Sequence, residues 1–139
     1  MVSNPYNTYL KNEIEGATKG KLILLLYDGA IKFLRTAKKS IEAKDIINAH
    51  KNIIKAENII YELMSTLNMD AGEISENLLK LYDFMVWKLI EANRDKTTEN
   101  IDIVINLMLK LREAWREIVE KEQQENQPKK EAKSINFAG

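Results

Sequence analysis

A segment with helical periodicity, residues 22–41, constrains the fold more than any other part of the chain. Its apolar residues recur at spacings of three and four, which places them on one face of a helix. They are Leu22, Leu26, Ala30, Phe33, Leu34, Ala37 and Ile41. A helix with one apolar face needs partners to cover that face. Three later segments of similar length carry the same period, so the sequence predicts four amphipathic helices around one core.

Capping and turn residues divide the chain into these helices. Thr18, Asp45 and either Thr97 or Thr98 are residue types whose side chains cap the free backbone donors of a first helical turn. The predicted helices are 18–43, 46–67, 73–93 and 98–122, with an Asn-Asp-Gly turn at 68–72. Short turns require antiparallel neighbours, so the predicted fold is all-α, an up-down-up-down antiparallel four-helix bundle.

Two flanking segments differ from this bundle domain, which spans 18–122. Residues 1–17 contain Tyr6, Tyr9 and Leu10 at spacings that suit a short helix or an apolar strap packing on the bundle. Residues 123–139 are polar, contain Pro128 and have few core residues, so we expect a disordered tail.

Composition excludes several function classes. With 139 residues there is room for one domain, and 21 basic residues balance 21 acidic ones, so no net field favours nucleic acid. The chain has no cysteine, which excludes disulfides and thiolate chemistry. Neither a secretory signal nor an apolar run of membrane-spanning length is visible, so we expect a soluble cytoplasmic protein without membrane insertion.

No catalytic, cofactor or metal site is predicted. A di-metal bundle needs Glu-x-x-His pairs, but the chain has one histidine, His50, and Ile47 occupies the position three residues before it. A lone histidine on a bundle is also the feature of histidine phosphotransfer domains, which stands as the alternative hypothesis. Ile53 and Ile54 follow His50 where that family favours lysine and glycine, so a partly covered structural or interface histidine is favoured instead.

The apolar faces of the later helices are wider than one core requires. On helix two the core stripe is Ile46, Ala49, Ile53, Ala56, Ile60, Leu63 and Leu67, and a second stripe is Ile47, Ile54 and Tyr61. His50 and Glu57 lie between the two stripes. On helix three the stripes are Ile74, Leu78, Leu81, Met85, Leu89 and Ala92, and then Leu79, Val86 and Ile90. Either each helix contacts two neighbours, or the second stripes form a groove for an amphipathic segment.

Helix four shows the same excess. Its core residues are Ile101, Val104, Met108, Leu111, Trp115 and Ile118, and Ile103, Ile105, Leu107 and Leu109 extend the apolar face on both sides.

Two glycines in helix one are open to interpretation. Gly20 weakens the first turn of the helix. Gly29, in the middle of the helix, either permits close helix approach, or loosens the helix or admits a ligand backbone.

Six segments resemble the FliS family of flagellar export chaperones. They are NPYNTYL at 4–10, LYDGAIKFL at 26–34, IYELMSTLN at 60–68, NLLKLYDFM at 77–85, LIEAN at 89–93 and LREAW at 111–115. They occur in family order from residue 4 to about 121. Thr18 and Lys19 stand where the family tends to have a serine–proline pair.

The resemblance implies a cytoplasmic chaperone without catalysis. Such a protein binds the C-terminal segment of flagellin, prevents its premature polymerisation and assists its delivery to the gate of the flagellar type III export apparatus. The second stripes then become flagellin-binding residues. The resemblance further implies that the N-terminal segment packs on the empty bundle and moves when flagellin binds, which gives Tyr6, Tyr9 and Leu10 a role.

Overall fold

The structure is a computed structural model that describes residues 18–138, with side chains described as far as residue 125. It contains four α-helices and one turn of 3₁₀-helix, and no strand occurs between residues 18 and 138. The elements are α1 Lys19–Glu42, α2 Ile46–Ser65, the 3₁₀ turn Met69–Ala71, α3 Glu73–Asp95 and α4 Glu99–Ala138. The predicted all-α class is confirmed.

The helices begin where the capping residues predict. The Thr18 hydroxyl accepts a hydrogen bond from the Lys21 backbone N–H at 3.3 Å, and the Asp45 carboxylate accepts one from the Asn48 N–H at 3.2 Å. Each bond satisfies a donor that has no partner within its own helix. Thr98 immediately precedes α4, and its carbonyl accepts the first bond of that helix.

The ends of α1 and α3 are closed by lysines in the left-handed region. Lys44 has φ 62° and Lys96 has φ 53°, conformations that glycine adopts more readily than lysine. At the end of α1 the Asp45 N–H donates to the Ser40 carbonyl at 2.8 Å, the long bond of a Schellman motif. The αL conformation therefore satisfies carbonyls that the ended helix leaves free.

Helix α4 continues beyond the predicted end at Glu122. The helix runs to Ala138, so the predicted end of helix four at Glu122 is wrong. Glutamate, lysine and glutamine dominate residues 120–125, and these residues favour helix even where no core pattern supports it. The division into strap, bundle domain and separate polar tail stays a prediction.

Contacts divide the chain into two units, and the larger is Leu25–Leu111. In this unit α1 and α2 run antiparallel. Asn48 donates to the Ser40 hydroxyl at 2.8 Å, the Lys55 ammonium lies 5.3 Å from the centre of the Phe33 ring, and Gly29 faces Ile59. As the residue numbers on α1 fall from 40 to 29, the numbers of their partners on α2 rise from 48 to 59. This is the antiparallel arrangement that the short connection between the helices requires.

Further contacts join the other helices of the Leu25–Leu111 unit. Asn100 of α4 donates to Glu91 of α3 at 3.0 Å, and Lys38 of α1 pairs with Asp102 of α4 at 2.9 Å. The Lys38–Asp102 hydrogen bond raises the pKa of Lys38. The core between the helices holds fully buried side chains from all four: Tyr27, Leu34, Ile53, Ile60, Leu63, Tyr82, Met85, Leu89, Ile101, Val104 and Met108.

Gly29 permits close approach of α1 and α2, one of the three interpretations left open by the sequence. A β-carbon at this position would lie 3.2 Å from the Ile59 δ-methyl, closer than an ordinary van der Waals contact. The neighbouring atom is the end of the flexible Ile59 side chain, so this methyl group can move away to accommodate a small side chain at position 29.

The second unit combines residues 18–24 with residues 112–138. Gly20 packs here against Val119, whose γ-methyl would lie 2.6 Å from a β-carbon at position 20. Gly20 is therefore a packing residue, a role that the sequence analysis did not assign to it. On α4, Arg116 pairs with Glu113 and, at 2.6 Å, with Glu120, and the bond from Arg116 lowers the pKa of Glu113.

Several predicted core positions are displaced. In the first turns of α1, Ile23 and Tyr27 are buried and Leu22 and Leu26 are half-buried, so the buried face is turned by one residue there. Further along the helix the predicted core residues Ala30, Leu34 and Ala37 are buried. Ile74 at the start of α3 is 72% exposed. Helix ends have fewer neighbours than helix centres, so apolar periodicity alone overestimates burial there. Two other predicted core residues, Ile46 and Ile118, are about half exposed.

Candidate binding groove between two helices

Helices α2 and α3 of the larger unit pack side by side and form an open depression of about 380 Å³. The His50 imidazole lies 2.9 Å from the Asn93 side-chain nitrogen and fixes the register of the two helices. One turn further along α2, Ile54 lines the depression together with Ile90 of α3. The structure therefore brings one residue from each predicted second stripe into a single depression, whose other lining residues are polar or charged.

Other residues of the second stripes extend this surface along the helices. Ile47 is 72% exposed, and Tyr61 is about half exposed, one on each side of Ile54. A spacing of seven residues places each of them about 10 Å from Ile54 along α2. Leu79 is partly exposed on α3. These residues, with Ile54 and Ile90, are the α2/α3 groove.

Val86 does not belong to the groove. It is 4% exposed and forms part of the core beside Met85 and Leu89. On the helical wheel it is the member of the second stripe of α3 that lies nearest the core stripe, and helix packing covers it. The prediction that Val86 presents an exposed apolar side chain is therefore wrong.

The three N-terminal candidates, Tyr6, Tyr9 and Leu10, lie outside the described residues. Their assignment as flagellin-binding residues stays a prediction.

Glu57 is the unusual polar residue of the depression. It is 8% exposed, lines the depression with Ile54 and Ile90, and was expected from the sequence to lie between the two stripes of α2. Burial raises the pKa of the Glu57 carboxyl, and the charge of His50 opposes that shift. A carboxylate is costly to bury without a hydrogen-bond donor, because the protein must replace the water it loses.

The cations around the depression are bonded elsewhere. Arg94 donates to the Asp95 carboxylate at 2.9 and 3.0 Å. The Lys96 ammonium donates to the backbone carbonyl of Asn93 at 2.5 Å and to its side-chain oxygen at 2.7 Å. Among residues 18–125, no hydrogen bond or ion pair reaches the Glu57 carboxylate. The depression thus combines two apolar residues, Ile54 and Ile90, with basic and amide side chains and with a carboxylate that has no donor among residues 18–125.

Two exposed aromatic residues on α3, Phe84 and Trp87, were not predicted from the sequence. Trp87 is 59% exposed, and the Lys88 ammonium lies 5.5 Å from the centre of the Phe84 ring. Both residues fall outside the two apolar stripes predicted for helix three. An aromatic residue outside every stripe is itself the sequence signal that could have identified them.

His50 is exposed, and its Nδ1 contacts the amide of Asn93. Of the two isoleucines that follow it, Ile53 is buried and Ile54 is half-buried. Within the described part of the chain, no group of three or more histidine or acidic side chains is arranged to hold a metal ion. None of the helices between residues 18 and 138 has both the length and the apolar character needed to cross a bilayer.

Fold and site together define an all-α protein of antiparallel helices with an exposed apolar groove. A sequence model of the family described as "Flagellar protein FliS" matches residues 2–122. The chain belongs to this family, which is one of chaperones and not of enzymes.

Individual relatives agree with this assignment. The chain is 37% identical to the flagellar secretion chaperone FliS of Bacillus subtilis over 124 residues, covering 89% of this chain and 92% of the relative. It is 33% identical to the Vibrio cholerae protein of the same name, covering 77% and 79%. A crystal structure of a bacterial flagellar chaperone superposes with a TM-score of 0.71 at 20% identity, covering 84% of this chain and 95% of that one, and supports the fold.

Proposed function

We propose that this flagellar export chaperone acts in the cytoplasm, where it binds the C-terminal segment of flagellin and prevents its premature polymerisation. It then assists delivery of flagellin to the gate of the flagellar type III export apparatus. The observation that carries this proposal is the α2/α3 groove, in which Ile47, Ile54, Tyr61, Leu79 and Ile90 leave apolar surface uncovered.

Apolar side chains along two adjacent helices suit a helical ligand. A groove between helices accepts an amphipathic helix, whose anchoring residues recur at three, four and seven positions. Ile47, Ile54 and Tyr61 recur at seven, so they remain on one face of α2 over about 20 Å. A segment that is disordered before binding gains helix and apolar burial together when it docks in such a groove.

Covering the client's apolar face also explains how polymerisation is prevented. Contacts that assemble a filament and contacts that hold the chaperone compete for the same side chains. A chaperone bound one to one therefore lowers the concentration of assembly-competent client by mass action.

Isothermal titration calorimetry with full-length flagellin and with flagellin lacking its C-terminal segment tests this proposal. We expect one-to-one binding of the full-length protein and loss of binding on truncation. In parallel, light scattering should show that an equimolar amount of chaperone delays flagellin polymerisation. Equal binding of both flagellins would exclude the C-terminal segment as the ligand.

A further inference from the structure

We propose that Glu57 forms a charge-recognition subsite in the floor of the α2/α3 groove, which takes a lysine or arginine side chain of the docked client. This inference rests on the proposed function. It adds a chemical requirement that an apolar groove alone does not impose: one basic residue in the client, placed between the apolar residues that contact Ile54 and Ile90.

Within residues 18–125, Glu57 is buried in the free protein without a hydrogen-bond donor. The residue is more than nine-tenths buried, lines the depression, and within residues 18–125 receives no hydrogen bond or ion pair. No fully buried side-chain oxygen in that range lacks a hydrogen bond, so the carboxylate oxygens keep a narrow opening toward solvent. The Glu57 side chain is therefore largely covered by the protein, and its carboxylate is reachable from the depression.

Basic residues line the depression beside Glu57. On α2 the charge of His50 acts on it, and at the end of α3 Arg94 and Lys96 line the same depression. Arg94 is bonded to Asp95 and Lys96 to Asn93, so neither neutralises Glu57 through a direct bond. The negative charge in the floor of the groove is left for a ligand to neutralise.

A client that covers the groove also covers Glu57. Docking removes the remaining water from the carboxylate, which is unfavourable unless the client supplies a donor. A lysine or arginine supplies both donor and opposite charge, and its methylene stem can lie along Ile54 and Ile90. A client with an apolar residue at that position leaves a buried charge unpaired, so Glu57 also selects against wrong segments.

The substitution Glu57→Gln separates recognition from folding. Glutamine keeps the shape but has no charge to desolvate, so the free variant should melt at the same temperature as the wild type or higher. Its affinity for the flagellin C-terminal segment should fall by roughly tenfold. Glu62→Gln is the matched control, because Glu62 lies on the same helix and is exposed. It should leave both quantities unchanged.

Replacing each lysine and arginine of the flagellin segment by glutamine, one at a time, identifies the partner of Glu57. One replacement should weaken binding to the wild type and have no further effect on Glu57→Gln, as a double-mutant cycle requires for a direct pair. The inference is overturned if Glu57→Gln binds as tightly as the wild type, if it lowers the melting temperature, or if no basic residue couples to it. Absence of wild-type binding would instead reject the proposed function, and this subsite with it.

Discussion

The hydroxyl oxygens of Tyr27 and Tyr82 lie 2.6 Å apart in the interior of the Leu25–Leu111 unit, one from α1 and the other from α3. Both residues are almost completely buried, and their ring centres are 6.4 Å apart with the planes inclined at 58°. This hydrogen bond ties together two helices that are not consecutive in the chain. It makes the core specific, because two buried hydroxyls must meet for the helices to pack.

Replacement of either tyrosine by phenylalanine should therefore destabilise the fold. We expect Tyr27→Phe and Tyr82→Phe each to lower the free energy of unfolding by about 1 kcal/mol, the usual contribution of one hydrogen bond. The double variant should lose less than the sum of the two single losses, since both remove the same bond. Urea denaturation followed by circular dichroism measures all three, and strictly additive losses would show that the hydroxyls act independently.

These two tyrosines also show where the sequence was insufficient. Spacing alone identified Leu22 and Leu26 as core residues, whereas the buried face of α1 includes Tyr27, one position further round the helix. A helical-wheel projection underestimates the burial of tyrosine, because a buried tyrosine hydroxyl needs a hydrogen-bond partner that only the tertiary structure reveals. The same limitation explains Val86: the sequence shows a wide apolar face on α3, but only the packing of the neighbouring helices decides which part is covered.

Other features were predictable because they depend on local chemistry. Thr18 and Asp45 cap helices where they were expected to, since a capping bond involves residues three positions apart. His50 and Glu57 were placed between the two stripes of α2, and both line the depression. The sequence could not predict that Glu57 lacks a hydrogen-bond donor there. This depends on the hydrogen bonds that Arg94 and Lys96, at the end of α3, make with other residues.

Gly20 and Gly29 should respond differently to alanine. At Gly20 the new β-carbon would approach a γ-methyl of the branched residue Val119 to 2.6 Å, so we expect Gly20→Ala to cost about 1–3 kcal/mol through overpacking. At Gly29 the contact is with the flexible end of Ile59 at 3.2 Å, and the helical preference of alanine, about 1 kcal/mol, offsets it. Gly29→Ala should therefore be nearly neutral. Chemical denaturation of the two variants side by side tests this, and equal losses would contradict the distinction.

The lysine that closes α1 offers a stabilising substitution. Lys44 has φ 62°, so Lys44→Gly should raise the free energy of unfolding by about 0.5–1 kcal/mol by removing the strain of a side chain in the left-handed region. Gly72 provides the reverse test. It has φ 78°, and no atom lies within 4 Å of the place that a β-carbon would take, so Gly72→Ala should lose about 1 kcal/mol from the backbone alone. Thermal unfolding that shows both changes with the same sign would contradict this account.

The stability of the protein should depend on the protonation of Glu57. Burial raises the pKa of this carboxyl above 4.5, so the folded state binds the proton more tightly than the unfolded state does. The resulting stabilisation is complete below pH 4.5 and is lost as the pH rises through the folded-state pKa. The difference in melting temperature between Glu57→Gln and the wild type should therefore grow from pH 4.5 to neutral pH. A difference that stays constant over this range would show that burial does not perturb the carboxyl.

The last prediction separates groove residues from core residues. Ile47→Glu and Ile90→Glu place a charge on exposed apolar positions, so each should leave the melting temperature nearly unchanged. Each should weaken binding of the flagellin C-terminal segment, because the new carboxylate must lose water when the client docks. Ile54→Glu should likewise weaken flagellin binding more than folding.

Val86→Glu is the matched contrast on α3. Its side chain is 4% exposed, so the charge enters the core and the variant should unfold or lose several kcal/mol of stability. Calorimetric binding and thermal melting of all four variants form one experiment. If Ile47→Glu and Ile90→Glu bind flagellin as the wild type does while remaining folded, the client docks on another face, and the aromatic residues Phe84 and Trp87 of α3 become the next surface to test.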